Sequence, residues 1–163
     1  MGEKVKIESL VSRTVALIDR DLRVSRTWEK KGSVRTIDFD VLQEMIYDPG
    51  VAYMFEQGIL GIQDMDVKIR LGLEPEGAKA PENIITLTDT ERDNYLRNYT
   101  LKQFKEKIQE LPREQVIELA NYAIEHEIAD FPKSEVLKRM IDIDIISAIK
   151  LNRADKEELK VEE

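Results

Sequence analysis

Six cationic side chains surround the only tryptophan of the chain in one short stretch of sequence. The cluster consists of Arg20, Arg23, Arg26, Lys30, Lys31 and Arg35, with Trp28 in its middle. Cations of this kind bind phosphates, and an indole ring stacks on bases, a combination found where strands or sheets bind nucleic acid. An acidic protein would suit the same cations. In the alternative interpretation, Trp28 is a buried anchor that covers the hairpin on the helical domain.

The charge of the chain is divided unevenly along the sequence. Residues 1–36 carry nine Lys or Arg and five Asp or Glu, a net charge of +4, whereas residues 37–163 carry sixteen and twenty-eight, a net charge of −12. This asymmetry indicates two surfaces that meet different partners. The alternative is that the basic face neutralises the acidic remainder, within one subunit or between copies of it.

Whole classes of reaction site are excluded by composition. The chain has no cysteine and one histidine, so it has no disulfide, no Cys-ligated zinc, no iron–sulfur cluster and no site with two imidazoles. It also lacks a G-x-S-x-G nucleophile motif and a glycine-rich phosphate loop. His126 has Asp130 four residues later, but a lone imidazole makes a poor metal site, so an exposed helix histidine is expected here. We therefore predict no catalytic residue, no metal and no cofactor, and we do not expect an enzyme.

Three pairs of aspartates, each separated by two positions, are the remaining candidates for metal chemistry. They are Asp38 with Asp40, Asp64 with Asp66, and Asp142 with Asp144. Each pair falls where the hydrophobic periodicity predicts the start of a helix. Aspartate is favoured at such positions because its carboxylate accepts hydrogen bonds from free backbone N–H groups. Helix capping is therefore preferred to Mg²⁺ binding at all three pairs.

Residues 112–153 can also be interpreted as a helix-turn-helix motif. That region contains six basic and eight acidic residues. A DNA-reading helix needs a positive surplus to approach phosphates, so the charge argues against the motif. A plain bundle of short amphipathic helices is the preferred interpretation.

The elements that position the cationic cluster are predicted to be two strands. The segments LRVSRTW and SVRTIDF alternate in polarity and flank a turn in which Gly32 supplies a positive φ angle, a pattern that predicts a β-hairpin. Val24, Arg26 and Trp28 share one face of the first strand. From Asp38 onward the apolar residues follow helical spacing, with Pro49, Pro112 and Pro132 marking helix boundaries. Ser134 is predicted to cap the helix after Pro132. The stretches Thr88–Glu91 and Thr100–Gln103 are predicted to form capping boxes at two further helix starts.

These patterns predict an α+β protein, mainly α, with a small N-terminal antiparallel hairpin or sheet followed by a bundle of short helices. Residues 1–73 form the basic hairpin and short helices, and residues 74–82 form an exposed loop or joint. Residues 83–153 form the helical bundle with one short leading strand. Residues 154–163 form a charged, frayed tail.

The expected function is that of a non-enzymatic interaction or assembly protein, an adaptor or accessory subunit that suits a bacterial or phage-encoded system. It would dock through apolar helix faces and the basic hairpin onto a protein partner or a second copy. The alternative is a nucleic-acid-binding regulator that uses the hairpin. No apolar run is long enough for a signal peptide or a membrane span, so we expect a cytoplasmic, reducing environment and no membrane partner.

Overall fold

The predicted fold class is confirmed. A computed structural model describes residues 2–81 and 86–162, with side chains to residue 160. It contains a small antiparallel sheet of N-terminal strands followed by helices, which is α+β and mainly α. The chain divides into two compact units, residues 1–86 and residues 87–163.

The described part of the N-terminal unit contains five short strands. They are β1 (Lys4–Ser9), β2 (Val15–Asp19), β3 (Val24–Trp28), β4 (Val34–Asp38) and β5 (Leu60–Gly61). β1 lies between β4 and β5 in a three-stranded sheet, and β2 pairs with β3 in a two-stranded sheet. All pairings are antiparallel. The β-branched and apolar residues that alternate along these strands face a common core.

The prediction that residues 22–28 and 33–39 pair with each other as a hairpin is wrong. Both segments are strands, but β3 pairs with β2 and β4 pairs with β1. The turn between them does contain a glycine with positive φ, since Gly32 has φ of 87°. Its N–H donates to the carbonyl of Ser9 at 2.9 Å, so the turn is tied to β1. Sequence neighbours therefore lie in different sheets.

Three short helices complete the N-terminal unit. They are α1 (Phe39–Met45), α2 (Pro49–Glu56) and α3 (Met65–Arg70). Proline at the first turn of α2 fits a position where its missing N–H costs nothing. Apolar residues such as Leu42, Met45 and Phe55 join the inward faces of the strands in one core.

The second unit is helical. It contains α4 (Asp89–Asp93), a π-helical segment (Asn94–Asn98), α5 (Leu101–Ile108), α6 (Arg113–Glu125), α7 (Phe131–Ile141) and α8 (Ile145–Glu162). Two predicted capping boxes are confirmed, one at Thr88 with Glu91 and one at Thr100 with Gln103. Leu119, Leu137 and their neighbours form a core separate from that of the first unit.

Two predictions for this unit differ from the structure. Ser134 is not the cap of α7, because the helix begins at Phe131 and the side chain of Asp130 accepts from the N–H of Lys133. Pro132 is tolerated there because it lies in the first turn. The tail predicted to fray continues α8 as helix up to Glu162.

In the last part of the first unit, residues 74–81 of the predicted joint contain no helix or strand. Most of the strand predicted at the start of the bundle, residues 83–85, lies outside the described residues, as does Glu82 of the predicted joint. Within the described helices, none is both long enough and apolar enough to cross a membrane.

Candidate partner-binding surface

Trp28 belongs to the core and is removed from the predicted contact surface. Its side chain is 0% exposed. The indole Nε1 donates to the carbonyl of Ile7 on β1 at 2.9 Å. This bond links the β2–β3 sheet to the central strand of the other sheet. The indole therefore has no free face on which a base stacks, and the anchor interpretation of this residue is the one that fits.

Arg26 also has a structural position. It shares the inward face of β3 with Val24 and Trp28, as expected, and is half-buried. Its Nε donates to the carbonyl of Thr36 on β4 at 3.0 Å, and one terminal nitrogen donates to the carbonyl of Ser25 at 3.0 Å. The guanidinium thus bridges β3 and β4 where no strand ladder joins them. This explains how an arginine occurs in the middle of an apolar face.

The other predicted cations lie on the surface. Arg20, Arg23, Lys30, Lys31 and Arg35 are all exposed. Among the described residues, Arg20, Arg23, Lys30 and Arg35 form no ion pair with a carboxylate; a terminal nitrogen of Arg35 donates only to the carbonyl of Val34, at 2.8 Å. Their charges are therefore available to an outside partner. We call these four residues the basic surface.

Three residues of the basic surface lie at the two ends of β3, and the fourth, Arg35, lies on β4. Arg20 and Arg23 lie in the turn that precedes the strand, and Lys30 lies in the turn that follows it. A five-residue strand rises about 3.4 Å per residue, so these turns are about 14 Å apart. Cations that are close together in the sequence are thus distributed over the two turns around β3 and over β4.

A groove lies beside β1, in a region the sequence did not indicate. Its volume is about 440 Å³, and it is lined by Glu3, Lys4, Val5, Lys6, Glu8, Val34, Gly61, Ile62, Gln63, Asp64 and Val67. Two segments of the N-terminal unit form it, β1 with its neighbour Val34 and the stretch from β5 into α3. The volume falls in the range typical of ligand pockets.

The register of β1 determines which of its backbone groups face β4. The N–H of Phe39 donates to the carbonyl of Glu3, and the N–H of Ser9 donates to the carbonyl of Ser33. Because hydrogen-bonded residues alternate in an antiparallel pair, the odd-numbered residues of β1 direct their backbone groups to β4. The even-numbered residues direct theirs to the opposite side.

That opposite side is only partly paired. Glu8 pairs with Gly61, but β5 ends at Gly61 and the following residues turn into α3. Within the described chain, the backbone groups of Lys4 and Lys6 on this side have no strand partner. The groove therefore exposes an open strand edge.

The charges lining the groove are mostly satisfied within the unit. Lys4 forms an ion pair with Asp38, and Arg70 contacts both carboxylate oxygens of Glu3 at 2.8 Å. Asp64 caps α3. Lys6 is exposed and makes no ion pair in the described part of the chain. Lys6 could not be identified as a contact residue from the sequence, because an open edge depends on strand register. Its alternation with Val5 and Ile7 indicated only that its side chain points outward.

The aspartate pairs act mainly as helix caps, as predicted. Asp64 accepts from the N–H groups of Asp66 and Val67, and Asp144 accepts from the N–H of Ser147 at 3.0 Å. This hydrogen bond holds the pKa of Asp144 below its usual value. Asp38 occupies an N-cap position without a side-chain cap bond. No cluster of three or more metal-ligating side chains occurs among the described residues.

His126 is exposed at the end of α6, where its ring lies 4.2 Å from that of Tyr122. Tyr122 in turn donates its hydroxyl to Asp93 at 2.9 Å. The histidine is thus a helix-end residue that contacts a neighbouring ring, in agreement with the exposed position expected for it.

The buried lysine of the second unit has a structural explanation. Lys133 donates from Nζ to the carbonyl of Leu96 at 3.0 Å, within the π-helical segment. Burial lowers the pKa of Lys133, and the carboxylate of Asp130, 3.9 Å away, opposes this shift. π-Helical segments often occur at functional sites. Here the carbonyl of Leu96 in the π-helical segment accepts from Lys133, so the lysine joins α7 to that segment.

No protein-family model, curated protein or solved structure matches this chain. Function must therefore be inferred from the geometry alone.

Proposed function

We propose that this protein is a non-enzymatic interaction or assembly subunit that binds an acidic protein surface through Arg20, Arg23, Lys30 and Arg35. The observation that carries the proposal is the exposure of these cations without internal ion pairs among the described residues. If they only neutralised acidic groups of their own unit, ion pairs would be expected. Exposed cations of this kind steer an acidic partner and set the salt dependence of binding.

Apolar side chains on the helical unit offer a second kind of contact. Phe131 on α7 is 63% exposed and Leu151 on α8 is 64% exposed. Large exposed apolar groups of this size are frequent in protein interfaces. They support docking through helix faces, alongside the electrostatic contact of the N-terminal unit.

The proposal is tested by affinity capture from a lysate of the source organism with a charge-reversed protein. R20E, R23E, K30E and R35E are combined in one variant. The matched control reverses four exposed lysines elsewhere, as K102E, K105E, K150E and K156E, so the change in net charge is identical. We expect one protein to be retained by the wild type and the control and lost by the basic-surface variant, even after nuclease treatment. Equal retention by both variants would contradict the proposal.

Nucleic-acid binding is the alternative function. The two ends of β3 are separated by about 14 Å, so the cations at the two ends would contact different phosphates of a nucleic acid strand. Without a stacking tryptophan, binding would rest on phosphate contacts and would weaken steeply with salt. Capture that disappears after nuclease treatment, together with loss in the basic-surface variant, would favour this alternative.

A further inference from the structure

We propose that the groove beside β1 binds an extended peptide of another protein, which adds as a strand along Lys4–Lys6 and places a carboxylate opposite Lys6. This is a second surface, distinct from the basic surface. Either proposal can therefore fail while the other holds.

The backbone of β1 provides the first argument. β4 occupies one side of the strand, and β5 covers the other side only at Glu8 and Ser9. Lys4 and Lys6 present N–H and carbonyl groups toward the groove without a ladder partner among the described residues. An added strand satisfies these groups through main-chain hydrogen bonds, which is how open sheet edges bind peptides.

The shape of the groove provides the second argument. β5, which pairs with β1, ends at Gly61. The chain then continues into α3, whose Val67 lines the groove. The opening holds about 440 Å³. The guest strand would therefore be bounded on one side by the edge of β1 and on the other by the start of α3.

The charge of the lining decides the chemistry of the guest. Glu3 pairs with Arg70 and Lys4 pairs with Asp38, so Lys6 is the lining cation that remains. The carboxylate of Glu8 accepts from the side-chain amide of Gln63 at 3.3 Å, and that of Asp64 accepts from backbone N–H groups of α3. Lys6 is left without an ion pair in the described chain. In an added strand the residue directly opposite Lys6 projects to the same face, about 5.5 Å away between Cα atoms. An acidic side chain at that position complements the lysine.

The test uses the full chain and fluorescein-labelled peptides measured by fluorescence anisotropy. The probe is acetyl-TVTETVT-amide, and its partner carries lysine in place of the central glutamate. A third peptide has the central glutamate N-methylated, which removes the N–H that would donate to β1. We expect the glutamate peptide to bind about fivefold more tightly than the lysine peptide, since exposed cross-strand ion pairs are weak. N-methylation should reduce binding further.

Charge reversal at Lys6 provides the matched comparison. Lys6 is exposed, so Lys6→Glu should fold normally, and Lys102→Glu is the control in the other unit. We expect Lys6→Glu to invert the preference between the two peptides, whereas Lys102→Glu leaves it unchanged. Equal binding of all three peptides, or the same preference in Lys6→Glu as in the wild type, would overturn the proposal.

Amide hydrogen exchange tests the open edge directly. In the free protein, the amides of Lys4 and Lys6 should exchange quickly while those of Val5 and Ile7 are protected by β4. Adding the glutamate peptide should protect the Lys6 amide. A Lys6 amide that is already protected in the free protein, or that becomes protected only as protein concentration rises, would mean that the chain itself or a second copy occupies the edge, and the peptide proposal would be rejected.

Discussion

At the residue scale, the tryptophan that suggested a nucleic-acid contact in the sequence turns out to connect two sheets. Its ring fills the core of the N-terminal unit, and its N–H is bound to the carbonyl of Ile7. A buried indole whose only polar atom is satisfied adds both apolar burial and a hydrogen bond. Trp28 is therefore expected to be important for stability rather than for binding.

Trp28→Phe tests this role. The smaller ring leaves a cavity and removes the donor to Ile7, so we expect a loss of about 2 kcal/mol in the free energy of unfolding. Urea denaturation followed by circular dichroism measures it. A variant as stable as the wild type would show that the indole is not part of the core.

The burial of Tyr95 leads us to expect that the stability of the second unit depends on alkaline pH. Burial raises the pKa of Tyr95 to about 12, with further contributions from Tyr99 and the carboxylate of Glu110. The folded state therefore favours the neutral phenol. The resulting stabilisation is present below pH 10, the pKa of an exposed tyrosine, and is lost as the pH rises toward 12.

We expect Tyr95→Phe to lose less stability than the wild type between pH 10 and pH 12, because phenylalanine cannot ionise. Melting temperatures measured at several alkaline pH values provide the comparison. Tyr53→Phe is the control, since Tyr53 is 45% exposed. If both variants show the same alkaline loss as the wild type, burial of Tyr95 does not control this transition.

At the scale of the element, the sequence predicted helix starts well because capping depends on residues within one turn. Thr88, Thr100 and Asp64 each accept hydrogen bonds from N–H groups two or three positions later, as their spacing indicated. The misplaced start of α7 has the same local origin. Proline is permitted in a first turn, so Asp130 rather than Ser134 caps the helix.

The capping box of α5 provides a measurable case. The hydroxyl of Thr100 accepts from the N–H of Gln103 at 3.2 Å, and the Gln103 side chain accepts from the N–H of Thr100 at 2.9 Å. Thr100→Ala should reduce the free energy of unfolding by about 1 kcal/mol. Thr100→Ser keeps the acceptor and should retain most of it. A urea denaturation series that gives equal losses for both variants would rule out the cap bond as the cause.

Strand pairing could not be predicted in the same way. Alternation located β3 and β4 approximately, but it does not specify partners, so these two segments, adjacent in the sequence, were predicted to pair with each other. The guanidinium of Arg26 and the N–H of Gly32 make contacts that only the folded arrangement reveals. The open edge of β1 depends on this pairing, so the groove could not be inferred from the residues alone.

At the scale of the whole molecule, the hydrophobic patterns predicted the fold class correctly, and the exposed cations agree with an outward-facing basic surface. Two of the seven residues proposed for that surface are structural, because Trp28 and Arg26 lie on the inward face of β3. The alternation of polar and apolar residues indicated that these two side chains point inward, whereas the density of cations in the sequence favoured placing them on the outer surface. Function itself stays a proposal.

Two cores should respond separately to truncation. Leu42 is 0% exposed in the first unit, and Leu119 is 0% exposed in the second. Leucine-to-alanine changes at such sites typically cost about 2–5 kcal/mol. The only tryptophan lies in the first unit, so its fluorescence reports unfolding there, whereas circular dichroism is weighted toward the helices of the second.

We expect Leu42→Ala to lower the midpoint seen by tryptophan fluorescence, and Leu119→Ala to lower mainly the midpoint seen by circular dichroism. Thermal denaturation of both variants, monitored by both signals, makes the comparison. Identical shifts in both signals for each variant would instead show one cooperative transition for the whole chain.

The exposed end of α8 is a suitable place to attach a reporter domain. Residues 150–160 remain helical although all of them are exposed, and Ile149 is the last buried residue among those whose side chains are described. An α-helix turns about 100° and advances about 1.5 Å with each residue. A reporter domain fused in helical continuity with α8 could thus be oriented in defined angular steps by adding or removing single residues, without altering the packed part of the bundle.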